Sequence, residues 1–178
     1  MPLNAEFKAR VADLAPVRAR LAAMQPRWAG VDAQRDTYFD APNGRLKLRE
    51  GTVETALIAY TRADIAGVKR SDVTLAPLTP DAAAAVGAAL AASLGVRTVV
   101  EKTREIAFVG HVKVHLDTLA GLGTLASPST GWFVEVEAID TDGTRTLAAL
   151  TADADAMRTA LGLDGAVLES RSYADMVG

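Results

Sequence analysis

A chain of 178 residues, 49% hydrophobic and 23% charged, has the size and composition of one globular domain that can bury a sizeable core. Its formal charge of −3 provides no global basic field toward nucleic acid or an anionic membrane, so an anion site must come from local clustering. The absence of cysteine excludes disulfides, thiolate metal sites and a cysteine nucleophile.

The opening eight residues lack the basic-then-apolar run of a secretion signal. The longest apolar stretch, 82–94, is too short and too rich in alanine to span a bilayer. The expectation is a cytoplasmic protein with neither membrane nor nucleic acid as partner.

Residues 4–11 alternate polar and apolar with Glu6 and Lys8 on one face, which predicts a first strand. Apolar residues then recur at helical spacing over 14–24, with Asp13 able to cap the start and Pro26 ending the helix. Residues 34–40 are rich in β-branched and aromatic side chains and read as a strand. The turn residues Ala41-Pro42-Asn43-Gly44 join them to a strand over 45–49, whose charged face is Arg45, Lys47 and Arg49. These two strands should pair as a hairpin.

A strand is predicted over 52–62, then a turn at 64–67 and a strand over 68–75 carrying Lys69, Ser71 and Thr74. Pro77 and Pro80 break the chain before a helix over 81–94 that Gly95 closes. Residues 96–109 form a long β-rich segment with Lys102 and Arg104 on one face. Gly110 separates it from 111–117, where His111, Lys113, His115 and Asp117 face one way and Val112, Val114 and Leu116 the other. A Gly-, Ser- and Thr-rich loop over 120–131 leads to a strand over 132–138 with Glu135 and Glu137 on one face. A turn at 142–143, a helix over 146–161 and a short tail complete a single domain, 1–178.

The one-sided charges fall on several strands. The basic set is Lys8, Arg45, Lys47, Arg49, Arg62, Lys102, Arg104, Lys113 and Lys69; the acidic set is Glu6, Asp117, Glu135 and Glu137. On an open sheet these would form its solvated face. If the sheet curls into a barrel they line its interior, where desolvated like charges are unfavourable unless a ligand offsets them. A triphosphate with a divalent metal would do so: Arg and Lys bind phosphoryl oxygens, and carboxylates two apart on a strand can hold Mg²⁺ or Mn²⁺. His115 reads as a hydrogen-bonder to phosphate rather than a metal ligand, because hard cations favour oxygen, and His111 as solvent-facing. Lys69 is a candidate catalytic acid or base, a phosphate ligand or a surface lysine.

Seven segments, in order, carry a resemblance. They are Asn4-Ala5-Glu6-Phe7-Lys8, Gln34-Arg35-Asp36-Thr37-Tyr38-Phe39, Gly44-Arg45-Leu46-Lys47-Leu48-Arg49, Glu101-Lys102-Thr103-Arg104, His115-Leu116-Asp117 with Gly121-Leu122-Gly123, Glu135-Val136-Glu137 and Ser172-Tyr173-Ala174-Asp175. Across 4–176 the chain resembles the CYTH superfamily, the triphosphate tunnel metalloenzymes that include class IV adenylate cyclases and thiamine triphosphatases. The short bacterial class IV cyclases are the type it resembles most.

The resemblance implies an α+β fold, a closed or nearly closed antiparallel β-barrel of about eight strands with covering helices. It implies metal ligation by Glu6, Glu135 and Glu137, with Asp117 as an additional ligand or as a partner that orients a cation. Phosphate binding would fall to Lys8, Arg45, Lys47, Arg49, Arg62, Lys102, Arg104 and Lys113. The implied reaction is cyclisation of ATP to cyclic AMP and pyrophosphate; the alternatives are hydrolysis of an inorganic or organic triphosphate, and triphosphate binding without catalysis. The partners are then a nucleoside or inorganic triphosphate, with a homodimer as a further partner class. Two features depart from the family pattern: Asn4 stands where a Glu is usual, and 125–131 reads as an insertion at the tunnel mouth.

Overall fold

The computed structural model describes residues 3–62, 66–120 and 131–177, with the Arg62 side chain excepted. The strands are β1 (Leu3–Arg10), β2 (Arg27–Phe39), β3 (Arg45–Gly51), β4 (Ala56–Arg62), β5 (Lys69–Pro77), β6 (Val96–Val109), β7 (Val112–Leu119), β8 (Trp132–Ile139) and the short β9 (Val167–Leu168). The helices are α1 (Ala15–Ala23), α2 (Pro80–Leu94), α3 (Leu147–Ala160) and α4 (Tyr173–Val177). The sheet order is β5-β4-β3-β2-β6-β7-β8-β1-β9, and a β5–β1 pairing joins its ends. Strands β1 to β8 therefore form a closed, wholly antiparallel barrel, with α1, α2 and α3 packed on its outside. The α+β antiparallel barrel implied by the resemblance is the fold observed.

Closure decides the two faces of every strand. Outward apolar residues of β1, β7 and β8, among them Phe7, Val114, Leu116, Val134 and Val136, pack under α1 and α3 through Val17, Leu21, Leu150, Ala154 and Met157. A second layer places Ala83, Leu90 and Leu94 of α2 over Phe39, Leu48 and Leu57. The alternation therefore separates an apolar exterior, covered by helices, from a charged interior. Helix α4 meets the barrel from within: Tyr173 is buried beside Phe133, Tyr38, Val100 and Leu119.

Several boundaries differ from the sequence pattern for local reasons. Strand β2 starts at Arg27, seven residues before the β-rich run, because the long β6 pairs with it down to Arg27↔Phe108 around an irregularity at Gly30. Strand β4 starts at Ala56 rather than 52. The preceding residues turn around the Asp32 carboxylate, which accepts from the backbone N–H of Val53 at 2.9 Å and Glu54 at 3.1 Å. Helix α2 is capped by Thr79, whose hydroxyl accepts from Ala82 N at 3.3 Å. The β2–β3 turn does follow its expected chemistry: Gly44 has φ +64°, and a Cβ there would lie 2.9 Å from the Tyr60 carbonyl oxygen. The 121–123 motif and positions 125–130 of the insertion lie outside the described residues. Among the described residues, no helix is long and apolar enough to cross a membrane.

Leu150 is fully buried between α3 and the barrel. Leu150→Ala should lower unfolding free energy by about 2–5 kcal/mol, read by urea denaturation, while leaving anion binding inside the barrel intact. A loss well below that range would show that α3 contributes little to the barrel's cover.

Candidate functional site

The inner faces of the barrel strands enclose a cavity of about 480 Å³. Its cations are Lys8 of β1, Lys47 and Arg49 of β3, Arg104 of β6 and Lys113 of β7; its carboxylates include Glu6, Glu135 and Glu137. Strand parity and barrel closure bring these groups together from across the chain.

A buried carboxylate organises the basic side. Asp36 of β2 lies opposite Arg49 in the β2–β3 register. It accepts from Arg49 Nε and Nη2, each at 2.9 Å, from Lys47 Nζ at 2.9 Å and from Lys102 Nζ at 2.7 Å. Burial alone would raise the Asp36 pKa, but Lys47, Arg49 and Lys102 hold it well below the usual carboxylate range. Lys102 is shifted the other way. Burial, with Arg49, Arg104 and Lys47 nearby, outweighs its pairing to Asp36 and pushes its ammonium down to about 7.

Arg104 forms a second node. Its guanidinium donates to both oxygens of Asp117, at 2.7 and 2.5 Å, and to Glu135 Oε2 at 2.6 Å. The Tyr173 hydroxyl donates to Asp117 Oδ2 at 2.6 Å. Asp117, fully buried, thus orients Arg104. Of the two roles expected for it, this is the one its contacts support.

The acidic groups meet across β1, β7 and β8. Glu6 lies opposite Glu137, and His115 opposite Glu135. Glu135 Oε1 is 3.3 Å from Lys8 Nζ. Burial would raise the Glu135 pKa, yet Arg104 and Lys8 keep it well below the ordinary value. Burial, reinforced by Glu6 and Glu135 against the opposing Lys113, raises the Glu137 carboxyl to about 7. Burial also pushes the His115 imidazole well below its usual range, with Arg104 adding to the shift, so the ring is neutral at pH 7. One donor atom from each of His115, Glu135 and Glu137 lies within 4.8 Å of the others. That donor set fits a divalent cation. Asn4 of β1, where the family pattern has Glu, adds a buried carbonyl oxygen with no hydrogen-bond partner among the described residues.

A family model for the CYTH domain matches residues 3–173. The chain belongs to the CYTH family. Adenylate cyclase CyaB of Aeromonas hydrophila is 31% identical over 171 residues, covering 94% of this chain and 85% of that protein. The PH1012 protein of Pyrococcus horikoshii superposes with a TM-score of 0.79 at 18% identity, covering 98% of this chain and 99% of that one. A conserved hypothetical protein of Pyrococcus furiosus gives 0.78 at 18% identity, with the same coverage. At these identities the two archaeal structures establish the fold alone.

Within this CYTH barrel, the other candidates occupy different places. Arg45 is not among the cavity-lining residues; it donates to Asp175 Oδ2 of α4 at 3.1 Å, and Arg97 donates to Asp175 Oδ1 at 2.8 Å. Lys69 is buried rather than a surface lysine, donates to the Ser170 carbonyl at 3.3 Å and is not among the cavity-lining residues. With Lys8 donating to the Arg171 carbonyl at 3.1 Å, it ties the C-terminal segment to the barrel, and it lies opposite Glu6 in the β1–β5 register. His111, expected to face solvent, is half-buried with Nε2 2.8 Å from Asp153 of α3. The Arg62 side chain lies outside the described residues.

Sequence reasoning left Asp36 with an uncertain face and missed Glu54, which receives Lys113 at 2.6 Å and Arg49 at 3.2 Å. The register of the 39–46 hairpin could have found Asp36. Glu54 follows the last residue of β3 in a turn, where strand parity carries no information.

Asp36→Asn leaves buried cations without their shared counter-ion, which should reduce stability by about 3–5 kcal/mol. Tripolyphosphate should restore more of the melting temperature in this variant than it adds to the parent protein; equal gains would count against the cage. Lys102 gives a pH effect of definite sign. Its folded pKa near 7 lies below the ~10.4 of an unperturbed lysine, so at pH 8 it is mostly neutral. A polyanion favours its charged form. Metal-free calorimetry at pH 8, in two buffers of different ionisation heat, should therefore show uptake approaching about one proton per tripolyphosphate bound. The uptake should vanish in Lys102→Met; a buffer-independent heat in the parent protein would contradict it.

Proposed function

We propose that the protein converts ATP to cyclic AMP and pyrophosphate inside the barrel, in a reaction that depends on Mg²⁺ or Mn²⁺. The observation that carries this reading is an apolar and aromatic patch beside the cation cage. Ile58 lies opposite Leu75, and Tyr60 opposite Val73, on the inner face of the β4–β5 pair. On their other side Ile58 and Tyr60 lie opposite Lys47 and Arg45 of β3. A bare phosphate chain makes no use of such a wall. A nucleoside does, through burial of the base and stacking on Tyr60. The Aeromonas relative supports the same reading.

In the proposed reaction the ribose 3′ oxygen attacks the α-phosphorus. The bond from that phosphorus to the oxygen shared with the β-phosphate breaks, pyrophosphate leaves with the electron pair, and the hydroxyl proton passes to solvent. Lys47, Arg49, Lys102 and Arg104 hold phosphoryl oxygens and offset the charge that spreads onto them. To enter, the phosphates must replace Asp36 as the anion facing Lys47 and Lys102. Glu135 and Glu137, with Glu6 beside them, are assigned to the metal. When bound, a divalent ion there supplies Lewis-acid neutralisation of phosphoryl charge.

The cage alone suits inorganic triphosphate equally well, which makes water attack on the γ-phosphorus the second reading. Chromatography of products from ATP and from tripolyphosphate, each with Mg²⁺ or Mn²⁺, separates the two. Cyclic AMP with pyrophosphate is expected; orthophosphate without a cyclic nucleotide would replace cyclisation by hydrolysis. Tyr60→Ala should weaken ATP binding about tenfold, the scale of one lost stacking contact. Its binding of tripolyphosphate should stay within about twofold. Equal losses for both ligands would remove Tyr60 from base recognition.

A further inference from the structure

We propose that His115 is itself a metal ligand, completing with Glu135 and Glu137 a mixed imidazole–carboxylate site that favours Mn²⁺ over Mg²⁺. This rests on the metal-dependent reading above and assigns a donor that hard-cation reasoning from the sequence set aside.

The His115 side chain is 1% exposed, and neither ring nitrogen has a hydrogen-bond partner among the described residues. Leaving a buried polar atom unpaired is unfavourable, so an orphaned imidazole inside a set of paired charges needs an explanation. Its Nδ1 lies 3.6 Å from Glu135 Oε2 and 3.7 Å from Glu137 Oε1, too long for hydrogen bonds. Those separations suit shared ligation instead. Adjacent donors about 2.1 Å from one octahedral ion lie about 3.0 Å apart, so a closure of less than about 1 Å on metal binding brings these atoms onto one ion. The placement is rigid, because His115 and Glu135 are directly opposed on neighbouring central strands.

The donor set implies a preference. Mg²⁺ demands near-ideal octahedral oxygen and gives up its waters reluctantly, whereas Mn²⁺, a transition-metal ion that also accepts carboxylate, tolerates an imidazole nitrogen better. Removing the imidazole should therefore weaken Mn²⁺ far more than Mg²⁺.

The chain has two histidines, and the second, His111, is paired to Asp153 outside the barrel. Pulsed EPR of Mn²⁺ bound to protein carrying ¹⁵N-histidine therefore reads His115 directly. A ¹⁵N coupling is expected in the parent protein and in His111→Asn, and its loss is expected in His115→Gln. In equilibrium titrations His115→Gln should lose about tenfold in Mn²⁺ affinity, while Mg²⁺ changes less than about threefold. Bound Mn²⁺ without nitrogen coupling in the parent protein overturns the assignment of His115 and leaves the carboxylate site standing. A coupling that survives in His115→Gln, or equal losses for both metals, also overturns it. Failure to bind Mn²⁺ at all would overturn this assignment and metal dependence together.

Discussion

Closing an antiparallel sheet on itself forces each strand's inner residues into a common, poorly hydrated space, and here that space holds Lys8, Lys47, Arg49, Lys102, Arg104 and Lys113. Such a group is stable only if its charges are offset. Asp36 does most of this on one side, gathering Lys47, Arg49 and Lys102 around one buried carboxylate. Asp117 and Glu135 do it around Arg104, and Glu54 around Lys113. The fold tolerates a cationic interior because its own carboxylates stand where an anionic ligand's oxygens would otherwise be needed.

That compensation also readies the site for ligand. Lys102 carries the tension most clearly: its ammonium is destabilised by burial and by three cationic neighbours even though a carboxylate touches it. A polyanion relieves the same repulsion that Asp36 offsets in its absence, so binding energy and folding energy draw on the same charges. At the acidic end the balance is reversed, with Glu6, Glu135 and Glu137 gathered beside a neutral imidazole. Cations and carboxylates thus line one cavity, which suits a ligand that brings phosphate and metal together.

The β4–β5 patch gives the interior its third character. Ile58, Tyr60, Val73 and Leu75 occupy inward positions equivalent to those filled by Lys and Arg on β3 and β6. Leu75 is 55% exposed, where the cavity opens to solvent. Charge and apolar surface on neighbouring strands of one wall are the basis of the proposed preference for a ligand with a charged tail and an uncharged head.

Much of this was legible in the chain itself. The alternation over 45–49 and 112–117 put aliphatic and charged residues on opposite faces, because side chains in an extended backbone can point only two ways. The Asn-Gly turn set the β2–β3 hairpin, and Pro26 and Gly95 marked helix ends. Local pattern could not say whether the charged faces looked to water or to each other; the β1–β5 pairing, between segments far apart in sequence, decided that. It could not say which charge meets which. Asp117 orients Arg104 and Tyr173, Lys69 holds the C-terminal segment, and Glu54 enters from a turn with no periodicity to reveal it. Residue type and strand parity are properties of a few neighbours along the chain, and those the sequence determined. The partner of each buried charge depends on barrel closure and register between distant strands, and only the tertiary structure decided it.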